Sequence, residues 1–270
     1  MNGVVAMQAL MQNKVVLITG GTQGLGRAIG EAAAREGASG VAIVGRSAEK
    51  AEAAVAAIRE SGSGSGTEVI AIIADLSIPG EAERAVAETI ARFGRIDSLV
   101  NAAGATSRGT LLDTTRELLN EHLNLNTVVP FMTMQGAVAN MRDRGAPGTI
   151  LNIITMSMHG GQPYLAPYVA SKAALAGLTK NAAFAHRFDR IRINGLNIGW
   201  TATPGEAVTQ KTFHDAEDDW LTKASAAQPM GKLGQPDEIA DAVVFLLSER
   251  SGVVTGSIID WDQNVPGAYE

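Results

Sequence analysis

The sequence predicts an α/β fold: an open, doubly wound parallel sheet of about seven strands between two layers of helices. Three observations predict it. Short apolar runs alternate with longer amphipathic stretches, which is the rhythm of βαβ units. Several of those runs are nearly continuous in Val, Ile and Leu, as strands covered on both faces must be. A glycine-rich turn separates the first apolar run from the first amphipathic stretch, and such sheets bind ligands at the carboxyl ends of their strands.

The predicted strands are 15–19, 40–44, 69–74, 98–101, 149–154, 191–197 and 257–261. Helical patterns fall between them at 27–36, 48–60, 81–93, 118–142, 168–188 and 236–247. Right-handed crossovers put these helices on both faces of one sheet, and residues 1–270 read as a single domain. Two segments break the rhythm. Residues 61–66 read SGSGSG, a flexible surface connector between a helix and a strand. Residues 203–227 form a long polar stretch without a strand pattern, read here as a substrate lid. Its acidic residues Asp215, Glu217, Asp218 and Asp219 read as a solvated helix face.

Composition excludes several functions. Apolar residues make up 46% and charged residues 19%, a globular balance. A net charge of −6 without a basic cluster argues against nucleic acid, whose phosphates need Lys and Arg. With no cysteine there is no disulfide, thiolate nucleophile or Cys-based metal site. Residues 1–12 carry no Lys or Arg ahead of their apolar stretch, so they fail as a signal peptide. No apolar run is long enough to span a membrane, and a cytoplasmic protein is the simplest reading. His122, His159, His186 and His214 lack metal-ligand spacing, so no metal is expected; His159 reads as an exposed loop residue.

After the first strand comes Thr19-Gly20-Gly21-Thr22-Gln23-Gly24-Leu25-Gly26, and then a helix. Gly20, Gly24 and Gly26 let the backbone turn tightly and approach a ligand, while Thr22, Gln23 and Leu25 complete the turn. The helix start offers free amides and a positive dipole end to a diphosphate. The spacing T-G-x-x-x-G-x-G resembles that of the short-chain dehydrogenase/reductase family. The resemblance runs from Lys14 to Asp260 and implies a Rossmann-like, nicotinamide-dependent oxidoreductase acting on a secondary alcohol or ketone.

About 20 residues after the glycines, a Rossmann unit has an acid for the ribose hydroxyls or an Arg for a 2′-phosphate. Here Gly45-Arg46-Ser47 stands there without a carboxylate. Arg46, with Ser47 beside it, therefore favours NADP(H), while an Arg46 that merely stacks on adenine leaves NAD(H) acceptable. By resemblance, Asp75 meets the adenine edge with Leu76 next to it, and Asn101-Ala102-Ala103-Gly104 matches the family's NAG motif. Asn101, Ala102 and Gly104 would then shape the cofactor pocket, Asn101 by support as much as by contact.

Tyr168-Val169-Ala170-Ser171-Lys172 puts a phenol and an ammonium on one helix face, a turn apart. At ~4 Å their attraction is about 4 kcal/mol, which predicts a phenol drawn towards neutrality for acid/base work. The resemblance makes this pair catalytic and has Lys172 bind the nicotinamide ribose. It also implies a hydroxyl 13 positions before the tyrosine to steady the substrate oxygen. That position is Thr155 where the family has Ser, with Ser157 as the rival. The family's Asn falls on Asn126, expected to hold a proton-relay water, with Asn124 as the competing assignment.

After the sixth strand the family's Pro becomes Ile198, while Gly199 and Thr203 remain. Thr203 is expected at the nicotinamide carboxamide, with Gly199 and Thr201 nearby. The family's D-G-G ending becomes Asp260-Trp261-Asp262, so Trp261 and the tail to Tyr269 are expected to help close a pocket. Gln162, His159, Tyr164, Trp200 and Trp220 would make a mixed lining that suits a sugar or polyol, with a ketoacyl chain, a steroid or a small xenobiotic ketone as the alternatives. The resemblance further implies a homotetramer built on helices 118–142 and 168–188. The alternative reading is a non-catalytic dinucleotide-binding sensor or an oligomeric scaffold, motivated by Thr155, Ile198 and Asp262.

Overall fold

A computed structural model describes residues 9–267. Seven strands form one parallel sheet in the order β3-β2-β1-β4-β5-β6-β7. They are β1 (Val15–Thr19), β2 (Gly40–Gly45), β3 (Glu68–Ile73), β4 (Ser98–Asn101), β5 (Gly148–Thr155), β6 (Ile191–Ile198) and β7 (Ile258–Trp261). Each lies within a residue of its predicted bounds. Every residue of β1 and of β5 is buried, which is why both read as largely apolar runs.

Helices cover both faces. α1 (Gly24–Arg35) and α2 (Ala48–Ser61) pack on one side; α3 (Glu81–Phe93) lies on the other. After α4 (Arg116–Leu123), α5 (Val129–Asp143) and α6 (Ala166–His186) join the α3 side. The order reverses between β1 and β4, so the chain leaves these strands in opposite directions and opens a crevice at their carboxyl ends.

Two sequence readings are corrected. The helix expected over 118–142 is interrupted: a π-helical turn, Asn124–Val128, joins α4 to α5. Pro130, at the start of α5, has no amide to give the Asn126 carbonyl, so α-helical pairing lapses there. The stretch 203–227 is mostly helical, as α7 (Pro204–Phe213) and α8 (Trp220–Ala226), before α9 (Pro236–Leu247). Thr203, Pro204 and Glu206 are a readable helix start, with cap, N1 proline and N3 glutamate. The acidic residues are solvated but lie between the two helices rather than on a helix face, pairing Asp218 with Lys211 and Glu217 and Asp219 with Lys223.

Candidate active site

The glycine turn sits at the mouth of the crevice. Gly20 has φ 67°, and a Cβ there would lie 2.9 Å from the Ala103 Cα. Thr19 braces this approach, its hydroxyl accepting from the Ala102 and Ala103 amides at 3.2 Å each. The turn opens onto a cavity of about 420 Å³ that runs from Arg46 and Asp75 to Tyr168 and Lys172. Backbone bare of Cβ atoms, free amides at the start of α1 and a cation beyond β2 all fit a nicotinamide dinucleotide.

Most of the predicted cofactor residues line this cavity: Gly20, Thr22, Gln23, Gly24, Leu25, Gly26, Arg46, Asp75, Leu76, Ala102, Gly104, Tyr168, Lys172 and Thr203. Four do not. The Ser47 hydroxyl instead caps α2, accepting from the Lys50 amide at 3.3 Å. Asn101 is buried, donating to Asn152 at 2.8 Å and accepting from Thr133 at 2.7 Å, so it ties β4 to β5 and α5. Gly199 and Thr201 line a separate cavity of about 360 Å³ beside Trp261. There a Cβ at Gly199 would collide with the Asp262 carboxylate, so a retained glycine packs against a departure from the family pattern.

Sequence reasoning missed Lys50. Its ammonium donates to the Gln23 side chain at 2.7 Å, bringing a second cation to the Arg46 end of the cavity. The signal was its place in the first turn of the helix that follows Arg46. Asp75 is held below the usual carboxylate range by hydrogen bonds from the Ser77 side chain and amide, with a smaller contribution from Arg46.

At the other end, Tyr168 and Lys172 face the cavity together, but not as expected. The Lys172 Nζ lies 6.0 Å from the centre of the Tyr168 ring and donates to the Ile153 carbonyl at 2.8 Å. Burial pushes the Tyr168 phenol up to about 12 and the Lys172 amine down to about 8. The predicted lowering of the phenol towards neutral pH is therefore absent from the free protein: desolvation dominates, and the ammonium is drawn inward to a strand carbonyl. The Thr155 hydroxyl reaches the phenol and works to lower it, whereas the negative charge of Glu206 raises it. Ser157, the rival to Thr155, donates to Gln162.

Asn126 is fully buried beneath Gly104, where an added Cβ would lie 3.1 Å from its side-chain oxygen and 3.5 Å from Lys172 Nζ. Its amide donates to the Ala105 carbonyl and the Ser171 hydroxyl, both at 3.0 Å, and its oxygen accepts from the Ala105 amide at 3.0 Å. The side chain is thus committed to structure. Asn124 ties the π turn to the loop after β3, donating to the Ser77 carbonyl at 2.8 Å.

The start of α7 borders the cavity at Thr203 and Gly205, and α8 follows it. Trp200 stacks on Trp220 with ring centres 6.5 Å apart. Arg108 lies over the rings of Tyr164 and Phe213, at 5.3 and 5.0 Å, and bonds His214 at 2.7 Å. It thereby joins the loop after β4, the loop before α6 and the end of α7. His159, read as an exposed loop residue, bonds Asp260 at 3.0 Å. Hydrogen bonds from His159 and Asn197 hold Asp260 low against the opposing effect of burial. Among the described residues no cluster of His, Asp and Glu could hold a metal, and no helix is long and apolar enough to cross a membrane.

Comparison with known proteins agrees with this geometry. The family model described as Enoyl-(Acyl carrier protein) reductase matches residues 20–263. An uncharacterized oxidoreductase of Thermotoga maritima is 36% identical over 93% of this chain and 96% of its own length. An L-rhamnose 1-dehydrogenase (NAD(P)(+)) of Azotobacter vinelandii is 31% identical, over 92% of this chain and 94% of its own. Among solved structures, L-sorbose reductase from Gluconobacter frateurii, complexed with NADPH and L-sorbose, superposes with a TM-score of 0.88. That pair is 29% identical, covering 97% of this chain and 100% of the other.

Proposed function

The chain belongs to the short-chain dehydrogenase/reductase family of oxidoreductases, and we propose that it interconverts a neutral sugar or polyol and its ketone with NADP(H) in preference to NAD(H). The observation that carries this reading is the meeting of Tyr168, Lys172 and the Thr155 hydroxyl at one end of a cavity whose other end holds Arg46. The sugar reading is supported by the likeness to L-rhamnose dehydrogenase and L-sorbose reductase. The NADP(H) preference is supported by Arg46 and Lys50 at the site without a competing carboxylate on Gly45-Arg46-Ser47.

When bound, the nicotinamide ring supplies or accepts the hydride. The amides of the Gly20–Gly26 turn would hold the diphosphate, and Arg46 with Lys50 the 2′-phosphate. Asp75 and Leu76 would flank the adenine, and Thr203 would meet the carboxamide. In the reducing direction Tyr168, protonated at neutral pH, gives its proton to the carbonyl oxygen while Thr155 hydrogen-bonds that oxygen. Lys172 holds a proton on Nζ beneath the cavity and has a depressed affinity for it, which suits it to resupply the phenol.

A homotetramer and a cytoplasmic location belong to the same proposal. Exposed Phe131 on α5 and Phe184 on α6 support burial of those helices against further copies. The test is a titration with NADPH and NADH followed by a screen of ketoses and polyols, comparing wild type with Tyr168→Phe. Carbonyl-dependent NADPH oxidation that vanishes in the variant supports the reading. Tight NADPH binding without turnover of any of them points to the sensor, and no binding points to the scaffold.

A further inference from the structure

A buried histidine takes no part in the chemistry above. His122 stands in the last turn of α4, just before the π turn, and is only 2% exposed. Its partners fix its tautomer. Nδ1 lies 2.9 Å from the Leu118 carbonyl oxygen, which can only accept, so Nδ1 carries the proton. Nε2 lies 3.2 Å from the Ser107 amide, which can only donate, so Nε2 offers its lone pair. The Ser107 hydroxyl, 3.3 Å away, adds a second donor to the same nitrogen. The bond from Nδ1 stays within one turn of α4, whereas the bond to Nε2 leaves the helix for the loop after β4.

That loop builds one wall at the catalytic end of the cavity. Ala105 and Thr106 line it together with Gly104, Tyr168 and Lys172. The loop is anchored on either side of Ser107. Asn126 holds both backbone groups of Ala105. The Gly109 amide donates to the Tyr164 carbonyl at 2.9 Å, and the Gly109 carbonyl accepts from the Ala166 amide at 3.0 Å. Between these anchors, among the described residues, the backbone of residues 106–108 has no hydrogen bond except the one from Ser107 to His122. The side chains on either side of Ser107 depend on that bond. Thr106 borders the cavity, and Arg108 clasps Phe213 and His214 at the end of α7.

We propose that His122 is a positioning residue of the active site: its Nε2 lone pair holds the half-buried Ser107 amide and so sets the cavity wall at Ala105 and Thr106. Resting on the sugar or polyol reading above, this role is exerted through Ser107 and needs no contact with substrate or cofactor. With the bond in place the wall is preformed. Without it, substrate binds only the fraction of molecules in which the wall is closed, so apparent affinity falls while turnover of the bound complex persists. A leucine at this position fills the space but leaves the amide without an acceptor. A glutamine carries an acceptor about as far from the backbone as Nε2 does.

The test compares wild type, His122→Leu and His122→Gln, each loaded with NADPH, on a ketose that wild type reduces. In His122→Leu the ketose KM should rise by about fivefold to a hundredfold, as for an amide left unsatisfied, with kcat within about twofold. Exchange of the Ser107 amide should quicken by a similar factor, and His122→Gln should recover most of both losses. NADPH affinity should stay near wild type, because the glycine turn and Arg46 lie at the other end of the cavity. A Leu variant that melts earlier but keeps the ketose KM would make His122 a core histidine and overturn the inference. So would a Gln variant no better than Leu, or an NADPH affinity that falls as far as the KM rises.

If wild type binds NADPH and reduces no ketose, the sugar reading itself fails and takes this inference with it; failure of the inference alone leaves wild-type turnover intact. Should His122→Leu not fold, His122→Asn carries the test. It keeps a polar group near the Leu118 carbonyl but loses the reach to Ser107, so the ketose KM should still rise, and an unchanged KM would overturn the inference. Nitrogen-15 NMR of wild type should find the His122 proton on Nδ1 and a slowly exchanging Ser107 amide. A proton on Nε2 in its place would overturn the inference as well.

Discussion

The two walls of the crevice are built by opposite means. The dinucleotide wall is mostly backbone: a turn bare of Cβ atoms, the amides that open α1 and the Ala102–Gly104 segment. Its side chains come from Thr22, Gln23 and Leu25 of that turn and from positions just beyond the ends of β2 and β3. The wall proposed for substrate is mostly side chains, drawn from segments far apart in sequence, with Arg108 clasping Tyr164 and His214 and Trp200 donating to Glu206. A backbone surface recognises what every nicotinamide dinucleotide shares and tolerates changes around it. A wall of interlocked side chains can be re-cut one residue at a time, which suits a family whose members share a cofactor class and differ in substrate.

That contrast can be broken at its meeting point, Tyr168. Replacement by Phe should lower turnover by about 10²- to 10⁴-fold while NADPH affinity stays near wild type, read by steady-state kinetics and fluorescence titration. The same phenol predicts opposite pH behaviour in the two directions. Pushed up to about 12, it is protonated at neutral pH and ready to donate, so reduction should be flat there. Oxidation needs the phenolate and should rise about tenfold per pH unit on the alkaline side. A pH-independent oxidation rate would remove Tyr168 from its role.

On the dinucleotide wall, Arg46→Ala should weaken NADPH by about tenfold to a hundredfold and leave NADH nearly unchanged, since only a 2′-phosphate needs that charge. Equal losses for both cofactors would make Arg46 an adenine contact. Gly20→Val places a β-branched side chain at φ 67° against the Ala103 backbone. Overpacking of about 1–3 kcal/mol should weaken both cofactors alike, by about fivefold to a hundredfold. Calorimetry that finds NADPH and NADH affected unequally would count against a shared backbone cradle.

The smallest effect is expected on the substrate wall. Arg108→Met removes two cation–π contacts of about 0.5–1 kcal/mol each, so KM should rise by about twofold to tenfold with cofactor affinity intact. Hydrogen exchange in residues 204–213 should quicken. A variant with unchanged exchange in α7 would show that the lid is held elsewhere.

The same division governs what could be read in advance. The strands, the glycine turn and the spacing of Tyr168 and Lys172 were legible because each is a local pattern: a burial period, a run of glycines, one turn of helix. α7 was legible too, in Thr203, Pro204 and Glu206, but the polar run around it masked the signal. The roles expected of Ser47, Gly199 and Thr201 came from their places in the chain, and packing puts these three outside the cavity, while Asn101 has the supporting place that was one of its two expected roles.

By itself, then, the sequence determined the α/β architecture, because backbone hydrogen bonding and apolar periodicity act between near neighbours, and its motifs carried the family resemblance that implied a nicotinamide cofactor and the Tyr168–Lys172 pair. Only the tertiary structure decided that the Lys172 ammonium goes to the Ile153 carbonyl, that the Lys50 ammonium goes to the Gln23 side chain, and that the Glu206 carboxylate leaves its own helix cap for the Trp200 indole. Each of those is a charge placed by residues distant in the chain. Its energy depends on burial and on partners that no local pattern encodes.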